Sequence, residues 1–176
     1  MIDFFIFLLL FFLVMIVFGS AAIAGLSAAP YVPTQGKDVK RILQIAGLKP
    51  NQLVYDLGCG DGRFLVAAAK HFKAKAIGIE MSVLPYLISR LKIQFLGLNN
   101  KVKIKFADFY KVDLKKADVI VCFLTPQAMK KLSPKFKKEL KSGAKIVSYA
   151  FPMKDWKPHL KDKPHKRAVS VYLYQN

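Results

Sequence analysis

A glycine-rich segment, Asp56–Gly62, has glycine at every second position from residue 58. It overlaps the end of the mostly apolar run Leu53–Asp56, which predicts a β-strand. It also leads into residues 62–72, whose apolar spacing predicts an α-helix. Glycines between a strand and a helix allow a sharp turn and let the backbone approach a ligand closely. The segment therefore predicts a strand–turn–helix unit with a binding site at its turn.

Apolar runs alternate with helical stretches through the rest of the chain. Strands are predicted at 53–56, 76–80, 102–106, 119–124, 144–149 and 168–174. Helices are predicted at 36–47, 62–72, 83–97 and 126–140, the first capped by Thr34 and the last broken at Ser133–Pro134. Residues 152–167 are rich in Pro and Lys and predict a loop with at most a short edge strand. Strands that alternate with helices indicate an α/β fold, a doubly wound and mainly parallel sheet with right-handed crossovers.

The N-terminal part of the chain predicts one transmembrane helix. Residues 4–29 carry no charged side chain, and about 20 apolar residues suffice to cross a bilayer. A cleaved signal peptide is the alternative, because the segment ends in small residues. The absence of Lys and Arg before the apolar run favours a retained anchor. We therefore divide the chain into an anchor at 1–29, a rigid Pro-rich joint at 30–36 and a domain at 37–176.

The charge of the chain is confined to its second part. All 29 Lys and Arg follow residue 36, and the formal net charge of the whole chain is +18. The positive-inside rule then predicts that residues 30–176 lie in the cytoplasm, and the two cysteines, Cys59 and Cys122, suit a reducing compartment. So basic a domain can bind nucleic acid, anionic lipid or acidic protein, and the densest lysine cluster is at 130–141.

Acidic residues surround the glycine-rich segment in a pattern that indicates one type of ligand. Asp56 precedes the glycines and Asp61 lies among them, which suits a ligand with an amine and disfavours a pyrophosphate. Glu80 ends the next strand, where a carboxylate can bind ribose hydroxyls. Asp108 and Phe109 end the third, where an acid and a ring can hold adenine. Together these features predict a site for S-adenosylmethionine.

The same residues resemble the cofactor site of class I S-adenosylmethionine-dependent methyltransferases, which have a Rossmann-like sheet. The segment Pro30–Thr34 narrows the resemblance to the seven-strand protein-lysine methyltransferases. That family includes a broad-specificity archaeal enzyme and mitochondrial enzymes that modify the ATP synthase c-subunit and the adenine nucleotide translocase. Its eukaryotic members also have an apolar segment before the domain. The high Lys content and the short 152–167 region depart from the family pattern.

The resemblance implies that a deprotonated lysine amine displaces the methyl group from the sulfonium centre of the cofactor. It implies a cofactor site formed by Asp56, Gly58, Cys59, Gly60, Asp61, Gly62, Glu80, Met81, Asp108, Phe109 and Phe123. By position, the candidates for the amine channel are Tyr31, Thr34, Thr125 and Phe151. No metal ligands and no general base are assigned.

The partners expected from the resemblance are protein lysines, including those of membrane proteins such as the ATP synthase c-subunit. The anchor and the basic charge add an anionic lipid surface. An RNA methyltransferase is the main alternative, although no appended RNA-binding module is visible and a membrane anchor suits it poorly. A lipid or small-molecule N-methyltransferase, and a cofactor-binding protein without activity, also stay open.

Overall fold

The computed structural model describes residues 2–27 and 32–176 of the chain. Its helices are α1 (Ile2–Ser27), α2 (Gly36–Ile45), α3 (Arg63–His71), α4 (Val83–Phe95) and α5 (Pro126–Glu139). Its strands are β1 (Leu53–Leu57), β2 (Lys75–Glu80), β3 (Val102–Phe106), β4 (Val119–Cys122), β5 (Lys145–Tyr149), β6 (Leu160–Asp162) and β7 (Val171–Gln175).

The seven strands form one sheet in the order β3-β2-β1-β4-β5-β7-β6. The first five are parallel, whereas β7 runs antiparallel to β5 and β6 antiparallel to β7. The prediction of a mainly parallel, doubly wound sheet is therefore confirmed. The chain moves outward from β1 to β3 and then returns to place β4 on the other side of β1. Ligands of such sheets bind at this switch point, beyond the carboxyl ends of the strands.

Helices cover both faces of the sheet and bury its side chains. One face packs on α2, α3 and α4, where Leu43, Leu65 and Ile93 are buried. The other face packs on α5 through Met129 and Phe136, which are fully enclosed. Successive strand residues point to opposite faces, which explains why β4 is apolar throughout its length.

Two local predictions are wrong. Thr34 does not cap the first helix of the domain: Gln35 is the N-cap, its side chain makes no capping bond, and Thr34 is buried. The helix at 126–140 is not broken at Ser133–Pro134, because α5 runs through Pro134 to Glu139. Proline removes one helical hydrogen bond, but the buried apolar face of α5 holds the helix together on both sides of it.

Several boundaries shift by a few residues. The strand predicted at 119–124 ends at Cys122, and the last strand begins at Val171 rather than at 168. The short edge strand expected within 152–167 is present as β6.

Helix α1 is not part of the layers that cover the sheet. Its segment Asp3–Ile23 is long and apolar enough to cross a membrane by length and composition, and its side chains are not buried in the protein. Near its C-terminal end, α1 contacts α4, where the Ser20 hydroxyl accepts a hydrogen bond from the Val83 N–H at 3.1 Å.

Candidate active site

An open cleft lies beyond the carboxyl ends of β1, β2 and β4, at the switch point of the sheet. Its empty space is about 910 Å³, including the part that is open to solvent. Nine of the eleven predicted cofactor residues line it: Asp56, Gly58, Cys59, Gly60, Asp61, Glu80, Met81, Phe109 and Phe123. Gly62 instead begins α3 as its N-cap residue, and the Asp108 carboxylate accepts a hydrogen bond from the Tyr110 N–H.

The turn after β1 needs glycine for its backbone shape. Gly58, Gly60 and Gly62 all have positive φ angles, at 81°, 54° and 76°, which side-chain-bearing residues rarely adopt. The N–H groups of Gly58 and Cys59 both donate to the Ile79 carbonyl, at 2.9 and 3.0 Å. These bonds fix the turn against the end of β2, so the backbone faces the cleft in one defined shape.

Glu80 is the main organiser of this end of the sheet. Its side chain is buried, and one carboxylate oxygen accepts from the Gly60 N–H at 2.9 Å. The other oxygen accepts from the N–H groups of Met81 and Ser82 at 3.0 and 2.8 Å. Three backbone donors therefore orient the carboxylate before any ligand arrives, while the oxygen that accepts only from Gly60 keeps capacity to accept a ligand hydroxyl.

Asp56 has an unpartnered oxygen in the cleft wall. Its Oδ2 is buried and accepts no hydrogen bond within the part of the chain that the structure describes. Burial, together with the negative charges of Glu80 and Asp61, raises the pKa of Asp56 to about 8. A buried carboxylate without a partner is costly, so the site is suited to a ligand that brings a positive charge or a donor to this oxygen.

Asp61 is held by two basic side chains of the protein. Its carboxylate pairs with Arg63 Nε at 2.8 Å and with Lys92 Nζ at 2.6 Å. Burial alone would raise the pKa of Asp61, but hydrogen bonds from Arg63 and Lys92 outweigh it and lower the pKa. Arg63 also donates to the carbonyl oxygen of Thr34. Asp61 therefore ties the glycine turn to the segment before α2 rather than leaving a free charge for a ligand.

Of the four candidates for the amine channel, the structure describes Thr34, Thr125 and Phe151. Thr34 is buried and lines the cleft. Thr125 and Phe151 are not among the lining residues: the Thr125 hydroxyl caps α5 by accepting from the Ala128 N–H, and Phe151 is partly exposed. Tyr31 lies outside the described residues.

Eight further residues line the cleft that were not predicted as site residues, although Val32 and Pro33 belong to the family-like segment Pro30–Thr34. They are Ala21, Val32, Pro33, Arg63, Phe64, Ser82, Pro85 and Leu124. Most follow from long-range packing, which local periodicity does not record. Ala21 is notable because it brings α1 to the cleft. Within the described residues, no three His, Cys, Asp or Glu side chains lie close enough to hold a metal ion.

The fit of S-adenosylmethionine to this cleft rests on its polar groups. The cofactor bears a sulfonium, an amine and two ribose hydroxyls. Asp56 offers a buried oxygen without a partner, and Glu80 offers oriented oxygens beside the glycine turn. Phe109 and Phe123 supply apolar surface for a ring. The residues present fit the group.

The family model and the related proteins that match this chain point to the same family. Residues 56–160 match the model of the ANTKMT methyltransferase domain. A protein-lysine N-methyltransferase of Saccharolobus islandicus is 38% identical, and the match covers 82% of this chain and 92% of that protein. Two mouse lysine N-methyltransferases, one named for the ATP synthase c-subunit and one for the adenine nucleotide translocase, are each 34% identical over 73% of the chain. The chain spans 51% and 56% of their lengths.

A solved structure agrees in fold over most of the chain. It is described as an RNA methyltransferase from Salinibacter ruber in complex with S-adenosylhomocysteine. It is 30% identical with a TM-score of 0.78, covering 82% of this chain and 93% of that one.

Proposed function

Because the chain belongs to the family of protein-lysine N-methyltransferases built on the ANTKMT methyltransferase domain, we propose that it transfers methyl groups from S-adenosylmethionine to lysine side chains of proteins. The match to the archaeal protein-lysine methyltransferase, over nearly that protein's whole length, carries this proposal. The cleft supports it, since its acids suit a cationic, phosphate-free cofactor.

The residues of the cleft divide the work of binding. Glu80 and the glycine turn would hold the ribose, Asp56 the positively charged end, and Phe109 the adenine ring. When bound, S-adenosylmethionine supplies an electrophilic methyl group on a positively charged sulfur. The residues of the chain have only to bind, orient and exclude water, and alignment of two reactants can itself supply much of a rate enhancement.

The accepting amine must be neutral to react, whereas a free lysine in water is mostly protonated at neutral pH. Apolar side chains at the cleft, Val32, Pro33, Phe123 and Leu124, favour the neutral amine because burial disfavours the charged form. Thr34 is the polar candidate beside this path. These residues act by desolvation, and no dedicated base is needed.

We also propose that α1 anchors the chain as a single span, with the methyltransferase domain in the cytoplasm. Its length and apolar composition support the span, and the basic residues that follow it support the orientation. Two relatives take their names from the ATP synthase c-subunit and the adenine nucleotide translocase. Lysines of membrane proteins are therefore the proposed substrates.

The test is a transfer assay with tritiated S-adenosylmethionine, using the full chain in detergent with membranes and soluble lysate of its host as acceptors. Label on a lysine of a protein, identified by mass spectrometry, is the expected result. Glu80→Ala should lose the transfer of label to lysine. Asp155→Asn, which changes an exposed acid outside the cleft, should retain this transfer.

RNA is the second candidate acceptor, because the Salinibacter structure is described as an RNA methyltransferase and this chain has a net charge of +18. Label in RNA and not in protein would replace the lysine assignment. Label confined to the lipid extract would indicate a lipid substrate instead.

A further inference from the structure

Helix α4 presents a row of large apolar side chains to solvent. The row, which we call the α4 stripe, consists of Leu84, Leu87, Ile88, Leu91 and Phe95. Their spacing places them on one side of the helix, within an arc of about 100°. Each is at least 44% exposed and Phe95 is 86% exposed, although α1 already packs nearby. A contiguous apolar face of this kind indicates a surface that contacts something other than water.

The α4 stripe begins where α1 meets the domain. Val83, the first residue of α4, donates its N–H to Ser20 of α1. From Phe4 to Ser20, α1 rises about 24 Å, most of the ~30 Å thickness of a bilayer core. In a spanning α1, Ser20 therefore lies near the boundary between hydrocarbon and headgroups. The start of α4 is then held at the same height.

The charges around the α4 stripe have one sign. From residue 81 to residue 107 the chain contains no Asp or Glu, and its basic residues are Arg90, Lys92, Lys101, Lys103 and Lys105. Lys92 pairs with Asp61, whereas Arg90 is exposed on α4 itself and Lys101 is exposed just before β3. Lys103 and Lys105 alternate with Ile104 and Phe106, which face α4, and therefore lie on the other face of β3. An apolar helix face flanked by basic side chains is typical of helices that lie in the interface of an anionic membrane.

We propose that the α4 stripe lies in the headgroup region of an anionic bilayer and holds the cleft against the membrane surface. Ala21 of α1 and Pro85 of α4 both line the cleft, so the two membrane-contacting helices border the site itself. The acceptors selected by this arrangement are lysines close to the bilayer surface. The proposal deepens the proposed function and rests on its assignment of α1 as a membrane span.

The test places a fluorescent probe at single introduced cysteines in the full chain, reconstituted in vesicles of phosphatidylcholine and phosphatidylserine. Cys59 and Cys122 are buried and so react poorly with the label. Leu91→Cys and Phe95→Cys report on the α4 stripe, Leu10→Cys on the span, and Lys138→Cys on an exposed position of α5. Lipids with a quencher near the headgroup should quench the probes at 91 and 95 and leave the probe at 138 unaffected. Lipids with a quencher deep in the acyl chains should quench the probe at 10 most strongly.

The outcomes separate the two proposals. Quenching of the probe at 10 without quenching of the probes at 91 and 95 overturns the membrane contact of the α4 stripe and supports α1 as a membrane span. No quenching at 10 overturns the span and the stripe together, while label transfer to lysine in the assay above can still stand. Probe self-quenching at 95 that is relieved by unlabelled protein, without quenching by lipid, would assign the face to a second copy and overturn the proposal.

A substitution pair gives a functional readout. Leu87→Gln with Leu91→Gln should lower methylation of membrane-embedded acceptors about fivefold, with little change for a soluble lysine peptide, because only membrane docking is weakened. Leu160→Gln, an exposed apolar residue on β6, is the matched control and should change neither. Equal loss with both acceptors would indicate a structural defect and contradict the docking role.

Discussion

The two sides of the cleft are built in different ways. The side formed by the glycine turn and Glu80 is held by directional hydrogen bonds between backbone groups and buried carboxylates. Within the residues that the structure describes, the side formed by α1 and the segment before α2 is attached through few polar links, including Ser20 to Val83 and Arg63 to the Thr34 carbonyl. The first side is therefore pre-organised, whereas the second depends on helices packing against one another.

This difference matches what each side is proposed to recognise. A cofactor is the same molecule in every turnover, so a rigid set of donors and acceptors serves it well. A protein acceptor arrives with its own backbone, and an apolar path with few polar groups admits it while still excluding water. The following predictions change one side at a time and ask whether binding of cofactor and binding of acceptor separate.

The largest effect is expected for Glu80→Ala. The substitution removes the acceptor of three backbone N–H groups and the proposed ribose partner at once. Affinity for S-adenosylmethionine, measured by calorimetric titration, should fall at least about tenfold. Unchanged affinity would exclude Glu80 from the cofactor site.

Asp56→Asn should remove the pH dependence of the affinity for S-adenosylmethionine, and not only lower that affinity. The raised pKa of about 8 means that free protein holds this carboxyl protonated at neutral pH, while a cationic cofactor prefers the ionised form. Affinity for S-adenosylmethionine should therefore rise from pH 6 to pH 8 in the natural protein, by up to about tenfold per pH unit. It should be nearly flat in the variant. A titration series across this range, which shows the same slope in both proteins, would contradict the assignment.

The raised pKa of Asp56 also makes the stability of the fold depend on pH, but stability falls with increasing pH where cofactor affinity rises. Because the pKa is raised in the folded state, the unliganded fold loses stability as the pH increases from about 4 to about 8. Asp56→Asn should escape this loss. Its Tm without cofactor should exceed that of the natural protein near pH 8, and the two should converge near pH 4. A Tm difference that is constant with pH would show that Asp56 is ionised throughout.

Arg63→Ala should affect both sides of the cleft, because Arg63 connects Asp61 in the glycine turn to the carbonyl of Thr34. We expect KM for a lysine peptide to rise more, by about fivefold, than Kd for the cofactor, since Glu80 still holds the turn. Arg63→Lys keeps the charge but not the forked geometry and should recover only part of the loss. A larger effect on cofactor Kd than on acceptor KM would place Arg63 on the cofactor side alone.

The smallest effects are expected on the acceptor side. Thr34→Val keeps the shape of a buried side chain and removes its hydroxyl, so kcat/KM should fall by only about two- to threefold. Tyr31→Ala should lower methyl transfer more than cofactor binding. Equal losses of transfer and cofactor binding would remove either residue from the amine path.

Most of the residues predicted for the cofactor line the cleft, and they could be found from the sequence because their signals are local. A strand, alternating glycines and an acid at the end of the next strand lie within 28 residues, from 53 to 80. The assembled wall was not predictable in the same way. Glycine on β2 is one example: a Cβ at Gly78 would lie 2.5 Å from a Leu65 methyl carbon and 2.6 Å from Cys59 Sγ. Only the fold shows that this position must be bare for the turn to pack.

Other features of the fold depend on partners distant in sequence. Pro134 indicated a helix break, but burial of Met129 and Phe136 outweighs the lost hydrogen bond. The lysine cluster at 130–141 is the densest in the sequence. In the structure, Lys131 lies over the Tyr110 ring, Lys135 pairs with Glu139, and Lys141 pairs with Asp118. Part of that charge is thus neutralised or covered within the protein.

The position of Ala21 in the cleft wall has a practical consequence. Removing an N-terminal apolar helix is the usual way to make such a protein easy to purify, and the remaining sheet would be expected to fold. Here that truncation would take away part of the cleft wall on the proposed acceptor side and the partner of the Val83 N–H. A shortened protein can therefore keep its cofactor and still choose its acceptors poorly, so substrate screens need the full chain.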